Sequence, residues 1–288
     1  MSRSLAIAIF LFTKGDLVTV LLPIISLAIF SNPSPRVPQC LAWTYMNLLQ
    51  FCVSNQRKPA AIAEDAVNKP WRPMPAGLIS PAQAAVLRWS LLPACLTISW
   101  IYDATIPGIA FSALILLHNE FGMDSHWLMK GVLTAAAYAT FDCGATLIAR
   151  GDAFQNSNGL KPQLLNALII VTTIHAQDFR DELGDRAIGR RTIPTEMPEI
   201  GRITLSIGLL AWSIVIGSLF SSSKLVSWLL IAMGTWVGTR FYLLRTPQDD
   251  RASYTAYNIW LAFTRIVPVL AQVTVSPVFR HSRVFFKM

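Results

Sequence analysis

Asp178, Asp181 and Asp185 fall at i, i+3 and i+7 within QDFRDELGDRAIGRRTIP, residues 177–194. On a helix that spacing puts three carboxylates on one face. Like charges so placed repel, so a helix that carries them calls for cations. Magnesium suits the position, because it takes oxygen ligands, keeps several waters and is held by one or two carboxylates together with substrate phosphates. Arg180, Arg186, Arg190 and Arg191 supply forked donors that match phosphate oxygens. The plainer reading is a solvated helix end laced by salt bridges. A second stretch, EDAVNKPWRPMPAG at 64–77, repeats the composition. Glu64 and Asp65 precede Asn68, Lys69 and Arg72, while Pro70, Pro73 and Pro75 stiffen the loop and stop a helix from continuing.

The elements that must position these residues read as membrane helices. Of 288 residues, 53% are hydrophobic and 14% charged, and the mean hydropathy is +0.47; a soluble domain carries about 25% charged residues. Apolar stretches lie at 17–31, 38–54, 82–101, 105–117, 127–149, 161–177, 200–220, 225–244 and 255–276. Most approach the roughly 20 residues a helix needs to cross a bilayer. The fourth is short and reads as a kinked or partly buried helix. The runs are continuous rather than alternating, which favours helices over a barrel. The expected fold is all-α: a polytopic membrane protein with about nine transmembrane helices around a central cavity, one domain over 1–288.

The net charge of +8 would suggest nucleic acid in a soluble chain. Here the bases gather on the loops that follow even-numbered spans (55–81, 118–126, 178–199, 245–254), which places those loops in the cytosol and makes nucleic acid an unexpected partner. The tail FRHSRVFFKM, with three bases on the opposite side, runs against that bias. Cys40, Cys52, Cys95 and Cys143 lie in apolar stretches without metal-binding or redox spacing and read as small buried hydrophobes. The first residues, MSRSLAIAIFLF, have too short an apolar run, and no small-residue cleavage site, for a cleaved signal.

Two acidic stretches on one side of a bundle can face each other over a cavity. Two or three magnesium ions between them would hold a diphosphate, with an apolar chain lying among the helices. Both stretches resemble motifs of the UbiA superfamily of intramembrane prenyltransferases, which carries an N/D-rich segment followed by NKPxRPxPxG and, later, RDxxGDxxxGRxTxP. This chain reads NKPWRPMPAG at 68–77 and RDELGDRAIGRRTIP at 180–194. The motifs keep their order and their places on even loops, so the resemblance covers essentially the whole chain. It implies a magnesium-dependent enzyme acting on a prenyl diphosphate. The first motif departs from the family pattern. Most members read NDxxDxxxD ahead of NKP, whereas this chain reads NQRKPAAIAEDAVNKP. Asp65 matches the last aspartate, Ala61 stands where the middle one is expected, and Asn55 replaces the leading asparagine after a two-residue insertion. This form is similar to a fungal branch that includes membrane-bound sesquiterpene cyclases.

Carried over to these positions, the resemblance implies that magnesium bridges Asp65, Asp181, Asp185 and the diphosphate, assisted by Glu64, Asn55 and Asp178. Asn68, Lys69, Arg72, Arg180 and Arg191 would bind the substrate's charged head. The expected function is cyclisation of a prenyl diphosphate, farnesyl diphosphate by analogy, in the endoplasmic reticulum membrane and without an obligate protein partner. Ionisation serves prenyl transfer to an aromatic acceptor equally well, and that is the alternative; a non-catalytic isoprenoid-binding protein is the third reading. Asn47, Gln50 and Ser54 form a polar stripe that glues helices or faces a cavity. Arg88, Asp142 and Arg265 are charges within spans, which pair or face the cavity. His175 reads as a structural hydrogen-bonding residue, Asn119 and Glu120 as part of the phosphate site or a loop cap, and Asp249 and Asp250 as a solvated turn. Trp43, Phe51, Tyr138, Phe141, Tyr257 and Trp260 are candidates to face a carbocation.

Overall fold

A computed structural model describes residues 3–31, 36–150, 161–221 and 223–275, and no strand occurs among them. The helices are α1 (Arg3–Thr13), α2 (Leu22–Ser31), α3 (Val37–Gln56), α4 (Pro59–Asn68), α5 (Pro81–Ile101), α6 (Thr105–Ile115), α7 (Trp127–Arg150), α8 (Lys161–Thr173), α9 (Ala176–Ala187), α10 (Ile193–Glu196), α11 (Pro198–Leu219), α12 (Lys224–Leu243) and α13 (Pro247–Val275). Wide π turns at Leu17–Leu21 and Leu116–Glu120 lead into α2 and extend α6. Over their described residues the nine apolar stretches are thus largely helical, the sixth being broken by a turn at 174–175 between α8 and α9. The C-terminal tail 279–288, on which the charge bias is weakest, lies outside the described residues.

Proline marks several helix starts, where its missing N–H costs nothing: α3, α4, α5 and α11 all carry it in the first turn. By length and apolarity three described helices suffice to cross a membrane, Pro81–Ile101, Trp127–Ala149 and Pro198–Leu219. The pair Leu5–Thr13 and Leu17–Phe30, bent by 52°, makes a fourth. The other spans are shorter or carry polar residues: α6 and α8 have 11 and 13 residues, and α3 holds Asn47, Gln50 and Ser54. Ile106, Trp100 and Leu219 are 82%, 72% and 72% exposed, an apolar exterior that suits lipid.

Two apolar cores divide the bundle. One joins α1, α2, α3, α5, α6 and one side of α7 around Trp43, Phe111 and Phe141. The other joins α8, α9, α11, α12 and α13 around Phe179, Tyr257 and Trp260. In the second, small residues let helices close on each other: a Cβ on Gly234 of α12 would stand 2.1 Å from Ser213 Oγ on α11. The two halves meet where α2 packs on α7 and α13, and where α4 packs on α9. Both acidic motifs sit at that last junction.

Candidate active site

Asn68 holds the two motifs together. It is the last residue of α4; its Nδ2 donates to the Asp181 carbonyl at 2.9 Å, and its Oδ1 accepts the Gly184 N–H at 3.2 Å. Gly184 leaves room for this contact, because a Cβ there would lie 2.3 Å from Asn68 Nδ2. Glu64 and Asp65, one turn earlier on α4, are thereby set opposite the acidic face of α9.

On α9, Asp178, Asp181 and Asp185 are all buried, as the shared face requires, while Leu183 points out. Asp181 accepts two hydrogen bonds from Arg180, at 2.9 and 2.6 Å, and one from Lys69 at 3.0 Å. Burial opposes its charge, yet Arg180 and Lys69 prevail and hold the carboxyl well below the usual range. Asp178 pairs with Lys130 at 2.5 Å. Asp65 accepts from Arg72 on both oxygens, at 2.8 and 2.9 Å. Burial nevertheless raises the Asp65 pKa, only partly countered by Arg72, and lowers that of Lys69 despite Asp181.

Gly189, at φ +66°, turns the chain back at the end of α9, and the Arg190 N–H then donates to the Asp185 carbonyl at 2.8 Å. The turn sends the Arg190 guanidinium over the site, where it bonds Glu64 at 2.7 Å, Asp124 at 2.6 Å and Asp185 at 3.3 Å. The same turn throws Arg191 outward, its side chain 71% exposed and paired with Glu196. The expectation that Arg191 faces the site is therefore corrected: its neighbour Arg190 does.

A cavity opens from this junction into the bundle. Its charged end is lined by Asn55, Glu64, Asp65, Lys69, Arg72, Arg180 and Asp181, with Asp16, Lys130 and Arg190. Asn68, Asp178 and Asp185 stand behind that lining. The deeper wall is apolar and aromatic, with Leu48, Phe51, Phe111, Leu133, Tyr138 and Phe141, and the Phe111 and Phe141 rings pack at 4.2 Å. Of the proposed cation-facing aromatics, Phe51, Tyr138 and Phe141 line the cavity. Trp43, Tyr257 and Trp260 are instead packed in the cores and hydrogen-bonded to Ser99, Thr173 and Ser213.

Several charges resolve away from the cavity. Asp142 pairs with Arg265 and receives Asn166 at 3.5 Å. Of the stripe on α3, Ser54 joins helices by accepting from Arg88 of α5 at 2.9 Å, Asn47 bonds the Trp43 carbonyl of its own helix, and the Gln50 amide is buried with no partner among the described residues. Glu120 pairs with Arg57, and His175 bonds the Gly201 carbonyl at 3.1 Å. Asp250 corrects its expected place in a solvated turn: it is 2% exposed and holds Arg202 through two bonds of 2.9 Å.

Asp16, Lys130 and His118 line the cavity without having been singled out. Lys130 carried a signal, a lone lysine in the first turn of an apolar span. Asp16 and His118 carried none beyond their places at span ends.

Among the described residues no three of His, Cys, Asp and Glu stand together as a ready-made metal site; each acid holds a base. The donor set still fits a hard cation. It is all oxygen, and Asp185 Oδ2 is buried with no hydrogen-bond partner. Burial raises the Asp185 pKa to about 6, with Lys130 countering and Glu64 reinforcing the shift, so this carboxylate lacks its full complement of positive charge.

Comparison with known proteins agrees with this geometry. The UbiA prenyltransferase family matches residues 17–263. The chain is 31% identical over 268 residues to fumagillin beta-trans-bergamotene synthase of Aspergillus fumigatus, covering 91% of each chain. It is 27% identical over 226 residues to a diterpene cyclase of Hericium erinaceus, covering 76% of this chain and 71% of that one. A UbiA homolog from Archaeoglobus fulgidus, solved bound to GPP and Mg2+, superposes with a TM-score of 0.64 at 15% identity, over 91% of this chain and 99% of that one. The fold, both motifs and these likenesses make the chain a membrane enzyme of prenyl diphosphates that belongs to the UbiA prenyltransferase family.

Proposed function

We propose that the protein is a magnesium-dependent terpene cyclase that converts a prenyl diphosphate, farnesyl diphosphate foremost, into a cyclic terpene and free diphosphate. The observation that carries this reading is the cavity itself: bases crowd one end and aromatic rings line the other. A charged head and a folded isoprenoid tail match those two ends. Lys69, Arg72, Arg180 and Arg190 offer charge-assisted donors to the diphosphate oxygens and stabilise negative charge as the head departs. Asp65, Asp181 and Asp185, with Glu64, Asn55 and Asp178, would hold magnesium, whose Lewis acidity weakens the bond to the leaving group. The acids and bases that pair with one another would then each gain a new partner. Deeper in the cavity, Phe51, Phe111, Phe141 and Tyr138 keep water out and turn π faces or edges toward the cation.

The altered first motif and the cyclase relatives favour an intramolecular attack over transfer to an acceptor. The charge bias supports placing the site loops in the cytosol, as for an enzyme of the endoplasmic reticulum, with 1–288 acting as one unit. The test incubates membranes with farnesyl diphosphate and magnesium, with and without a panel of phenolic acids and polyketides, and analyses extracts by gas chromatography. A cyclic hydrocarbon or alcohol from the diphosphate alone is expected. A product that forms only with an acceptor, and carries the prenyl group on it, would replace this reading with the transferase.

A further inference from the structure

A cyclised carbocation ends its life by losing a proton or capturing water, and the residues proposed above assign no group to that step. The carboxylates on the cavity wall stand at the charged end, where Asp181, Asp65 and Glu64 are held by bases and Asp16 accepts from Cys52 and faces Arg72 at 4.0 Å. One imidazole lines the cavity among the described residues, that of His118. It sits in the π turn Leu116–Glu120 that extends α6, a distortion that often marks functional positions. The widened turn brings the ring edge-on against Phe51, with centroids 5.8 Å apart. His118 is thus placed between the charged mouth and the aromatic wall.

We propose, resting on the cyclase reading, that His118 is the catalytic base that ends the reaction by accepting a proton from the cyclised cation through Nε2. The tautomer follows from its neighbour. Nδ1 lies 3.1 Å from Asn119 Oδ1, which can only accept, so Nδ1 carries the hydrogen and Nε2 the lone pair. Among the described residues the ring's hydrogen bond is made at Nδ1, which leaves Nε2 without a protein partner. Burial lowers the imidazole pKa, Asp124 raises it, and Lys130 and Arg190 lower it further, so the ring is neutral and ready to accept at pH 7. In the step itself a C–H bond beside the cationic carbon breaks and its electron pair becomes the new C=C bond. The proton goes to Nε2, and the imidazolium, steadied by Asp124, returns it to an oxygen of the departing diphosphate. No oxidant or further reactant is needed.

The test compares wild type with H118F, whose ring preserves the packing on Phe51, in acceptor-free assays that read diphosphate release and product composition together. A positioned base contributes roughly 10²–10⁴ to proton transfer. Diphosphate release should therefore slow by less than about 10-fold, while the ratio of olefin to alcohol falls by at least about 10-fold. An unchanged ratio, or an equal loss of release and products at equal membrane content, would overturn the assignment in favour of a packing role. A second variant, H118Q, keeps a polar side chain at the π turn but offers no base. Its olefin share should fall as in H118F, and an unchanged share would overturn the proposal even if H118F fails to accumulate. If wild type releases no diphosphate until an aromatic acceptor is added, the cyclase reading falls by itself. The base is then read with that acceptor present: free prenyl alcohol in place of prenylated product in H118F supports it, and a proportional loss of both counts against it.

Discussion

Two sets of buried charges in this molecule look alike in sequence and behave differently in space. Asp142–Arg265 and Asp250–Arg202 are ion pairs, each joined by direct side-chain bonds and set apart from the cavity. At the α4–α9 junction the charges are shared instead. Arg190 serves three acids, Asp181 serves two bases, and Asp185 keeps one oxygen unpaired. A one-to-one pair joins two helices, even though Arg265 keeps two buried nitrogens without a partner. A shared and incomplete network can exchange partners, as binding a dianionic head with its cations requires. Removing one member of each kind should therefore do opposite things.

The largest effect is expected at Asp181. Asp181→Asn removes the negative charge that Arg180 and Lys69 share, and one metal-binding oxygen, and should lower turnover per folded molecule by about 10³-fold or more. Wild-type-like turnover would sink the metal-site assignment. Asp250→Ala should show the reverse pattern, because it removes both acceptor oxygens and strands Arg202 in a buried position, which costs roughly 3–5 kcal/mol. Membrane content and melting temperature should drop while activity per folded molecule persists. Equal behaviour of the two variants would erase the distinction between the networks.

Lys69→Ala and Arg72→Ala should each cost roughly 1.5–3 kcal/mol, one to two decades in turnover or apparent affinity. Arg190→Gln should match them, whereas Arg191→Gln stays within about two-fold, as a surface pair contributes little. Steady-state kinetics on the neighbouring pair tests the turn at Gly189 directly.

Asp185 gives a smaller effect that depends on pH. Its pKa is raised to about 6 in the folded protein, so the group favours folding when protonated. That contribution is fully present below the unfolded value, near 3.8, and is lost as pH rises through about 6. Asp185→Asn, neutral throughout, should gain thermal stability relative to wild type between pH 5 and pH 7.5 while losing activity. Magnesium with diphosphate should stabilise wild type at pH 7.5 and not the variant. A stability difference independent of pH would contradict the account of that carboxylate.

Much of this was legible in the sequence because membrane helices announce themselves by unbroken apolarity, and because the junction motifs are contiguous. Asp178, Asp181 and Asp185 needed only the helical period to share a face, and Asn68 through Arg72 needed only the prolines to form a stiff loop. What sequence could not supply was pairing across distance. Arg202 meets Asp250 from a separate helix 48 residues away, and nothing local distinguishes that acid from its half-buried neighbour Asp249. The choice between Arg190 and Arg191 depends on a positive φ at Gly189. The aromatic lining depends on how α3, α6 and α7 are rotated, which selected Phe51 and Phe141 and hid Trp43.

The most direct measurement is diphosphate release by the purified protein in lipid nanodiscs, supplied with farnesyl diphosphate and no acceptor, in magnesium and again in excess chelator. One molecule of cyclic terpene or terpene alcohol is expected for each diphosphate released, and neither product in chelator. Release that requires an aromatic acceptor, or that continues unchanged without divalent cations, would contradict a magnesium-dependent cyclase.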